Sequence, residues 1–184
     1  MQAEQRQVLL LALLDTMAER GSWCGETHLQ KSTFFLQEGL GVPLNFSFIL
    51  YRHGPFSFEL RDELAEMHTR LLLDVERRDP YGPSLKVSSS GETYKAHFSR
   101  TTQRFEESVG FIAERLANKG VAELERLGTA LYVLREEPGR SHDTNVKRLT
   151  ELKPHVREDL AARAVTEVEE LLEAAKNRGA IVSV

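Results

Sequence analysis

Tyr51-Arg52-His53-Gly54-Pro55-Phe56-Ser57, running straight into Phe58-Glu59-Leu60, is the stretch whose reading decides the fold of this 184-residue chain. Gly54 supplies backbone freedom, and Pro55 fixes its own φ while restricting the residue before it, so a turn is expected here ahead of a helix. Ser57 is then placed as the N-cap, its hydroxyl facing an orphan amide of the first turn, with Glu59 and Asp62 near the positive end of the helix dipole. Leu60, Leu64, Met67 and Leu71 follow in steps of four, three and four, one apolar stripe within an amphipathic segment from Phe58 to Glu76. Leu73 and Val75 alternate with Asp74 and Glu76, Asp79-Pro80-Tyr81-Gly82-Pro83 turns the chain, and Leu85 and Val87 alternate back. The pattern predicts antiparallel pairing of residues 73–75 with 85–87 and an exposed turn near Pro80 to Pro83. A helix followed by such a hairpin is the pattern of a winged helix.

Outward from this centre the chain reads as helical. Residues from about Ala3 to Glu19 carry a broad apolar face around Val8 and Leu11 that Gly21 ends. Thr27-His28-Leu29-Gln30 reads as a capping box with Thr27 as N-cap, opening a short helix through Leu29, Phe35, Leu36 and Leu40 that stops near Gly39 or Gly41. Phe46, Phe48, Ile49 and Leu50 favour an extended segment. Beyond the hairpin Ser89 is the expected N-cap, and Tyr94, Phe98, Phe105, Val109, Ile112 and Leu116 mark one long helix or two broken near Ser99 to Thr102. A stripe from Leu124 to Leu134 follows, then a polar loop from Glu136 through Asn145, a short helix at Val146 and Leu149, and a final helix from Val156 to Ala175 after Pro154. Ile181, Val182 and Val184 form an apolar tail suited to an edge strand or to core packing. The expected architecture is mainly α with a small β-hairpin: a winged-helix-like core over residues 1–117 and a helical C-terminal extension over 118–184, packed together as one cooperative unit.

Composition narrows the function classes. Apolar residues make up 41% and charged residues 28%, a globular balance, and the formal net charge of −4 gives no global attraction to nucleic acid. Cys24 is the single cysteine, so an intramolecular disulfide and a cysteine zinc cluster are excluded. The start lacks a basic leader, and the apolar run Val8 to Leu14 is too short to span a bilayer, which predicts a soluble cytoplasmic protein. His53 beside Gly54, and His142 beside Asp143, lack an accompanying nucleophile, second carboxylate or phosphate-cradling loop at a recognised spacing. Neither a catalytic site nor a metal or cofactor site is therefore expected.

Two basic regions and one acidic face remain as candidate contact surfaces. Arg77, Arg78 and Lys86 lie on the hairpin, among Asp74, Glu76 and Asp79. Between Arg140 and Arg157 the cations Arg140, Lys147, Arg148, Lys153 and Arg157 outnumber Asp143 and Glu151, with Glu158, Asp159 and further glutamates following on the last helix. Either set suits phosphate or an acidic partner. The segment that a winged helix would present to DNA instead carries Glu59, Asp62, Glu63 and Glu66, which repel phosphate and suit a protein contact. Gly54, Pro55 and Ser57 are assigned a structural role in the turn.

The runs Leu29-Gln30-Lys31, Phe34-Phe35-Leu36, Pro43 and Tyr51 to Leu60 resemble the bacterial YwgA-like proteins and the related SocA-like (Panacea) antitoxin domain, and Leu124 to Leu134 and Leu152-Lys153-Pro154 look similar too. Ser32-Thr33 departs from the apolar pair more usual after the lysine. The resemblance implies a non-enzymatic regulatory or antitoxin-like module. The expected function is a winged-helix-type regulator that binds DNA, in the manner of a transcriptional regulator, or alternatively a protein-binding adaptor without DNA binding. The partner classes are DNA, a partner protein, or a second copy in a homodimer.

Overall fold

Helices α1 (Ala3–Glu19) and α2 (Glu26–Phe34) are followed by a π-helical turn (Phe35–Gly39) and the short strands β1 (Ile49–Tyr51) and β2 (Gly54–Phe56). Helix α3 (Phe58–Thr69) leads into β3 (Leu73–Arg78) and β4 (Tyr81–Val87), and five helices complete the chain: α4 (Ser89–His97), α5 (Ser99–Leu116), α6 (Val121–Glu136), α7 (His142–Leu152) and α8 (Glu158–Arg178). This computed structural model describes residues 1–78 and 81–182, the side chains of Arg78 and Tyr81 excepted. Asp79 and Pro80 of the expected turn, and Val184 of the tail, lie outside the described residues. The molecule is mainly helical; among the described residues there are two separate two-stranded antiparallel sheets, and no helix is long and apolar enough to cross a membrane.

One contiguous apolar cluster joins α1, α2, α5, α6 and α8. Leu9, Leu10, Leu11, Leu13 and Leu14 are all inside, so α1 is apolar nearly all round and forms the centre of the core. At about 1.5–3 kcal/mol for each large aliphatic side chain removed from water, this cluster is the main stabilising term of the fold.

The expected hairpin is present: Leu73 pairs with Val87 and Val75 with Leu85, with an irregularity between Glu76 and Arg78. It is tied to the α1–α2 connection, where the Trp23 indole donates to the Gly82 carbonyl at 3.2 Å and the Leu85 amide donates to the Cys24 carbonyl at 2.9 Å. Ser57 caps α3 as expected, its Oγ accepting from the Leu60 amide at 3.2 Å. The helix is shorter than the Phe58 to Glu76 segment. It stops at Thr69 because Leu71 takes a left-handed φ of 59° and points outward, 69% exposed, while Leu72 replaces it in the core.

Several caps differ from expectation by one or two residues. Helix α2 begins at Glu26 with Gly25 as N-cap, so Thr27 lies inside the helix and Gln30 is free for a longer-range role. Ser88, not Ser89, caps α4 by accepting from the Gly91 amide at 3.0 Å. The break after His97 falls at Phe98, making two helices, and the polar loop after α6 ends early because Ser141 caps α7. In the tail, Ala180 is buried and the Val182 amide donates to the Leu40 carbonyl at 2.8 Å.

Candidate functional site

The turn itself differs in a way that matters for the site. Tyr51 pairs with Gly54 across Arg52-His53, so these two residues form the tip of a miniature hairpin, and Gly54 and Pro55 belong to its second strand. A two-residue tip requires an unusual backbone at its end, and Gly54 supplies it with φ of 85°. Gly54 is also pressed against α6: a Cβ there would sit 3.2 Å from the Glu125 carbonyl. Across the gap, Gly128 of α6 leaves room for the Pro55 ring, which a Cβ would meet at 3.1 Å.

A hairpin this short cannot satisfy its own buried backbone groups, and side chains from three helices do so instead. The Gln30 amide makes a reciprocal pair with Ser57, donating to its carbonyl and accepting from its N–H, each at 2.9 Å. Gln37 repeats the device at the other end of the excursion, donating to the Phe46 carbonyl at 2.9 Å and accepting from its N–H at 2.8 Å. Lys31 donates to the Pro55 carbonyl at 2.8 Å. Lys153, at the end of α7, donates to the Tyr51 carbonyl at 3.1 Å and to that of Arg52. The Leu29-Gln30-Lys31, Tyr51 to Leu60 and Leu152-Lys153-Pro154 runs thus meet at one place.

Glu125 is the anionic centre of this place. Its carboxylate lies 3.0 Å from the Lys153 ammonium, with the His53 and His155 rings each at 3.5 Å. Burial pushes the Glu125 carboxyl up, but Lys153 and the two imidazoles outweigh it and hold the group below the ordinary glutamate range. Lys31 shares the site and makes no direct ion pair among the described residues. Burial lowers its pKa from the ordinary lysine value to about 8, with Glu125 opposing that shift and Lys153 reinforcing it.

Outside the clamp, the same hairpin and the first residue of α3 carry an aromatic platform. Tyr51, Phe56 and Phe58 form a triangle with ring centroids 5.1–5.9 Å apart. Ile49, Tyr51 and Phe58 are 47%, 48% and 42% exposed, and the Arg61 guanidinium stacks over Phe58 at 5.1 Å. Beyond Glu26 and Thr27, an apolar cleft of about 520 Å³ lined by Trp23, His28, Pro83 and Val121 continues this surface.

The sequence-derived contact residues are dispersed or neutralised. Lys153 is buried in the clamp and leaves the basic surface altogether, because the carbonyls of the hairpin tip require its donors. Arg140 pairs with Glu136 and Glu137, Arg148 with Glu136 and Glu151, and Arg157 with Asp159. Lys147 is exposed and makes no ion pair among the described residues. On the β3–β4 hairpin Lys86 pairs with Glu76, Arg77 is exposed, and the side chain of Arg78 lies outside the described residues.

The acidic face is interrupted too. Glu63 is buried and receives hydrogen bonds from Arg6 and Gln7, so it faces α1 and not solvent. Glu59 accepts from the Ser47 amide at 2.9 Å, while Asp62 and Glu66 pair with Arg61 and Arg70. Gln30, Lys31 and Glu125, and the exposed side of the aromatic triangle, are what residue-level reasoning missed. The available signal was a lysine and a glutamine among apolar neighbours on a short helix, at positions that a buried face would otherwise fill with hydrocarbon. No protein-family model matches the chain, and no curated protein matches it.

Proposed function

We propose that this protein is a non-catalytic regulatory module that holds a partner protein, and that the contact is made by the aromatic platform on the β1–β2 hairpin. The observation that carries this reading is the triangle of Tyr51, Phe56 and Phe58, with Tyr51 and Phe58 exposed and Phe56 half-buried, where the β1–β2 hairpin held by Gln30, Lys31 and Lys153 meets the start of α3. Aromatic side chains supply large contact area and are enriched at the energetic centres of protein interfaces. A platform whose backbone is already fixed loses little conformational freedom on binding. The apolar cleft beside Trp23 and Val121 extends the same surface.

The order of α3 followed by the β3–β4 hairpin fits a winged-helix reading, and the resemblance to YwgA-like and SocA-like antitoxin proteins supports a regulatory or antitoxin-like role. The protein-binding reading is preferred to DNA binding because three of the surface cations in the 140–157 patch are paired with carboxylates of their own chain. The test is a photo-crosslinking residue at position 58 in the native host, identification of the captured protein, and reconstitution from purified components. Loss of the reconstituted complex with Phe58→Ala is the expected result. Salt-sensitive retention of DNA duplexes, lost when Arg77 and Arg78 or Lys147 and Arg148 are replaced by alanine, would overturn it.

A further inference from the structure

Lys31 is 2% exposed, yet among the described residues no carboxylate lies within the 4.0 Å of an ion pair. Its ammonium has three donors, and the Pro55 carbonyl is its one hydrogen-bond acceptor among the described residues. The stem is closely packed: Cβ atoms built at Gly54 and Gly128 would each come to 3.4 Å of it. Two buried lysines, Lys31 and Lys153, lie near the carboxylate of Glu125, which pairs with Lys153, and no other buried carboxylate among the described residues pairs with either. The interior of the site therefore has positive charge in excess of its buried negative charge.

Lys31 lines a cavity of about 160 Å³ together with Glu26, Thr27, Tyr51, His53 and Phe56. Size restricts the occupant. Pockets for cofactors and drug-sized molecules run from roughly 300 to 1,000 Å³, whereas a cavity of about 150 Å³ holds something the size of benzene. This cavity admits one side chain. Charge restricts it further: the buried ammonium favours a carboxylate, while Glu26 is exposed at the α2 N-terminus and acts through screening water. Tyr51 and Phe56 belong to both the cavity and the aromatic platform, so whatever enters the cavity has neighbours on the platform.

We propose that the cavity at Lys31 receives the side-chain carboxylate of a glutamate or aspartate in an acidic partner segment, whose adjacent apolar side chain lies on Tyr51, Phe56 and Phe58. The proposal rests on the partner-binding reading above and names the chemistry of the segment. The carboxylate supplies the anion that Lys31 lacks. Glu26 at the rim selects a single acidic side chain over a multiply charged group.

The probe is a pair of peptides, acetyl-Phe-Glu-Leu-amide and acetyl-Phe-Gln-Leu-amide, titrated to millimolar concentration into the full chain. Backbone amides of His53, Gly54 and Gly128 and the Lys31 side chain are followed by NMR. The glutamate peptide is expected to bind about tenfold more tightly, as a charge-assisted contact requires, and to raise the Lys31 pKa. Its advantage fades as pH rises through about 8, where the free amine loses its proton. Lys31→Met removes the preference for glutamate and leaves the weaker binding of the glutamine peptide. Equal affinities, an unchanged Lys31 titration, or no binding of either peptide overturns the proposal. Should Lys31→Met fail to fold, the pH profile of the unaltered protein decides by itself. Phe58→Ala separates the two readings: it weakens both peptides alike if the platform is the contact. If Phe58→Ala changes neither while the glutamate preference persists, the platform reading fails and the cavity assignment stands.

Discussion

Two regions of this molecule are rich in cations and use them in opposite ways. In the 140–157 segment, Arg140, Arg148 and Arg157 reach carboxylates across the surface, so charge clustered in sequence is largely neutralised in space. Around the β1–β2 hairpin, Lys31 and Lys153 are buried, and their donors go to backbone carbonyls. In the first region the cations are concentrated along the chain but not in space. The second was hidden because its two lysines are more than a hundred residues apart. The comparison teaches that a cation's environment, more than its sequence neighbourhood, decides whether its charge is available.

If the buried cluster is the energetically serious one, removing its anion should have the largest effect of any single substitution discussed. Glu125→Gln leaves the Lys153 ammonium buried beside Lys31 without a counter-charge. The breaking of a buried pair in this way predicts a loss of about 3 kcal/mol, or roughly 6–12 °C in Tm for a chain of this size. Thermal denaturation followed by circular dichroism checks it, and a Tm unchanged within error would place the cluster on a par with the surface patch. The Glu125 contribution also has a pH signature: its folded pKa is depressed, so its stabilisation is present above the ordinary glutamate range and is lost as pH falls through the folded value.

Next in size is the backbone of the hairpin. Gly54→Val forces a β-branched residue to φ of 85° and drives a Cβ to 3.2 Å from the Glu125 carbonyl. Strain alone costs about 1–3 kcal/mol at such a position, and displacement of α6 adds to it. Urea denaturation should show a lower midpoint with an unchanged slope. Gly139 has a comparable φ of 92° but nothing within 4 Å of an added Cβ, so valine there should cost the strain without the collision.

How much of this was legible in the sequence follows from the range of the interactions. The α3 cap at Ser57, the β3–β4 register and the span of α1 depend on residues close in the chain, and periodicity and capping chemistry read them correctly. Leu71 was misplaced because its spacing fits a helix that the left-handed turn at that very residue ends. Gln30 was read as half of a local capping box, whereas its amide serves Ser57, on the other side of the extended excursion. Glu63 was read as surface because its neighbours are acidic; Arg6 and Gln7 on α1 draw it inward. The errors at Gln30 and Glu63 each put a local partner in place of a long-range one.

A smaller effect comes from Lys31. The folded pKa of Lys31 is lowered to about 8, while an unfolded lysine keeps its proton to a much higher pH. Between those values the unfolded chain binds more protons, so Lys31 makes stability rise with pH. The gain is about 2 kcal/mol over roughly two pH units above 8, since each unit of pKa difference corresponds to about 1.4 kcal/mol and the slope is only partial near the folded pKa. Chemical denaturation at pH 8 and pH 10 should show this rise in the unaltered protein relative to Lys31→Met. Parallel pH dependence in the two proteins would mean that water reaches the amine.

The smallest effect is expected where the sequence drew most attention. Replacing Lys147 and Arg148 together by alanine removes one surface cation that makes no ion pair among the described residues and one that is shared between Glu136 and Glu151. Exposed ion pairs contribute little, because solvent screens them and ordering two long side chains offsets the attraction. The melting curve should therefore overlay that of the unaltered protein. The same variant tests the electrostatic reading of the patch. A surface that neutralised phosphates would release counterions, giving an affinity that falls steeply with salt and a slope that drops when cations are removed. Because Glu136 already holds both Arg140 and Arg148, DNA would have to displace an intramolecular carboxylate before gaining either contact. A mobility-shift series from low to physiological salt should show no retained duplex for either protein. A band that appears at low salt and disappears in the double variant would return the patch to the functional surface and reverse the contrast between the two regions.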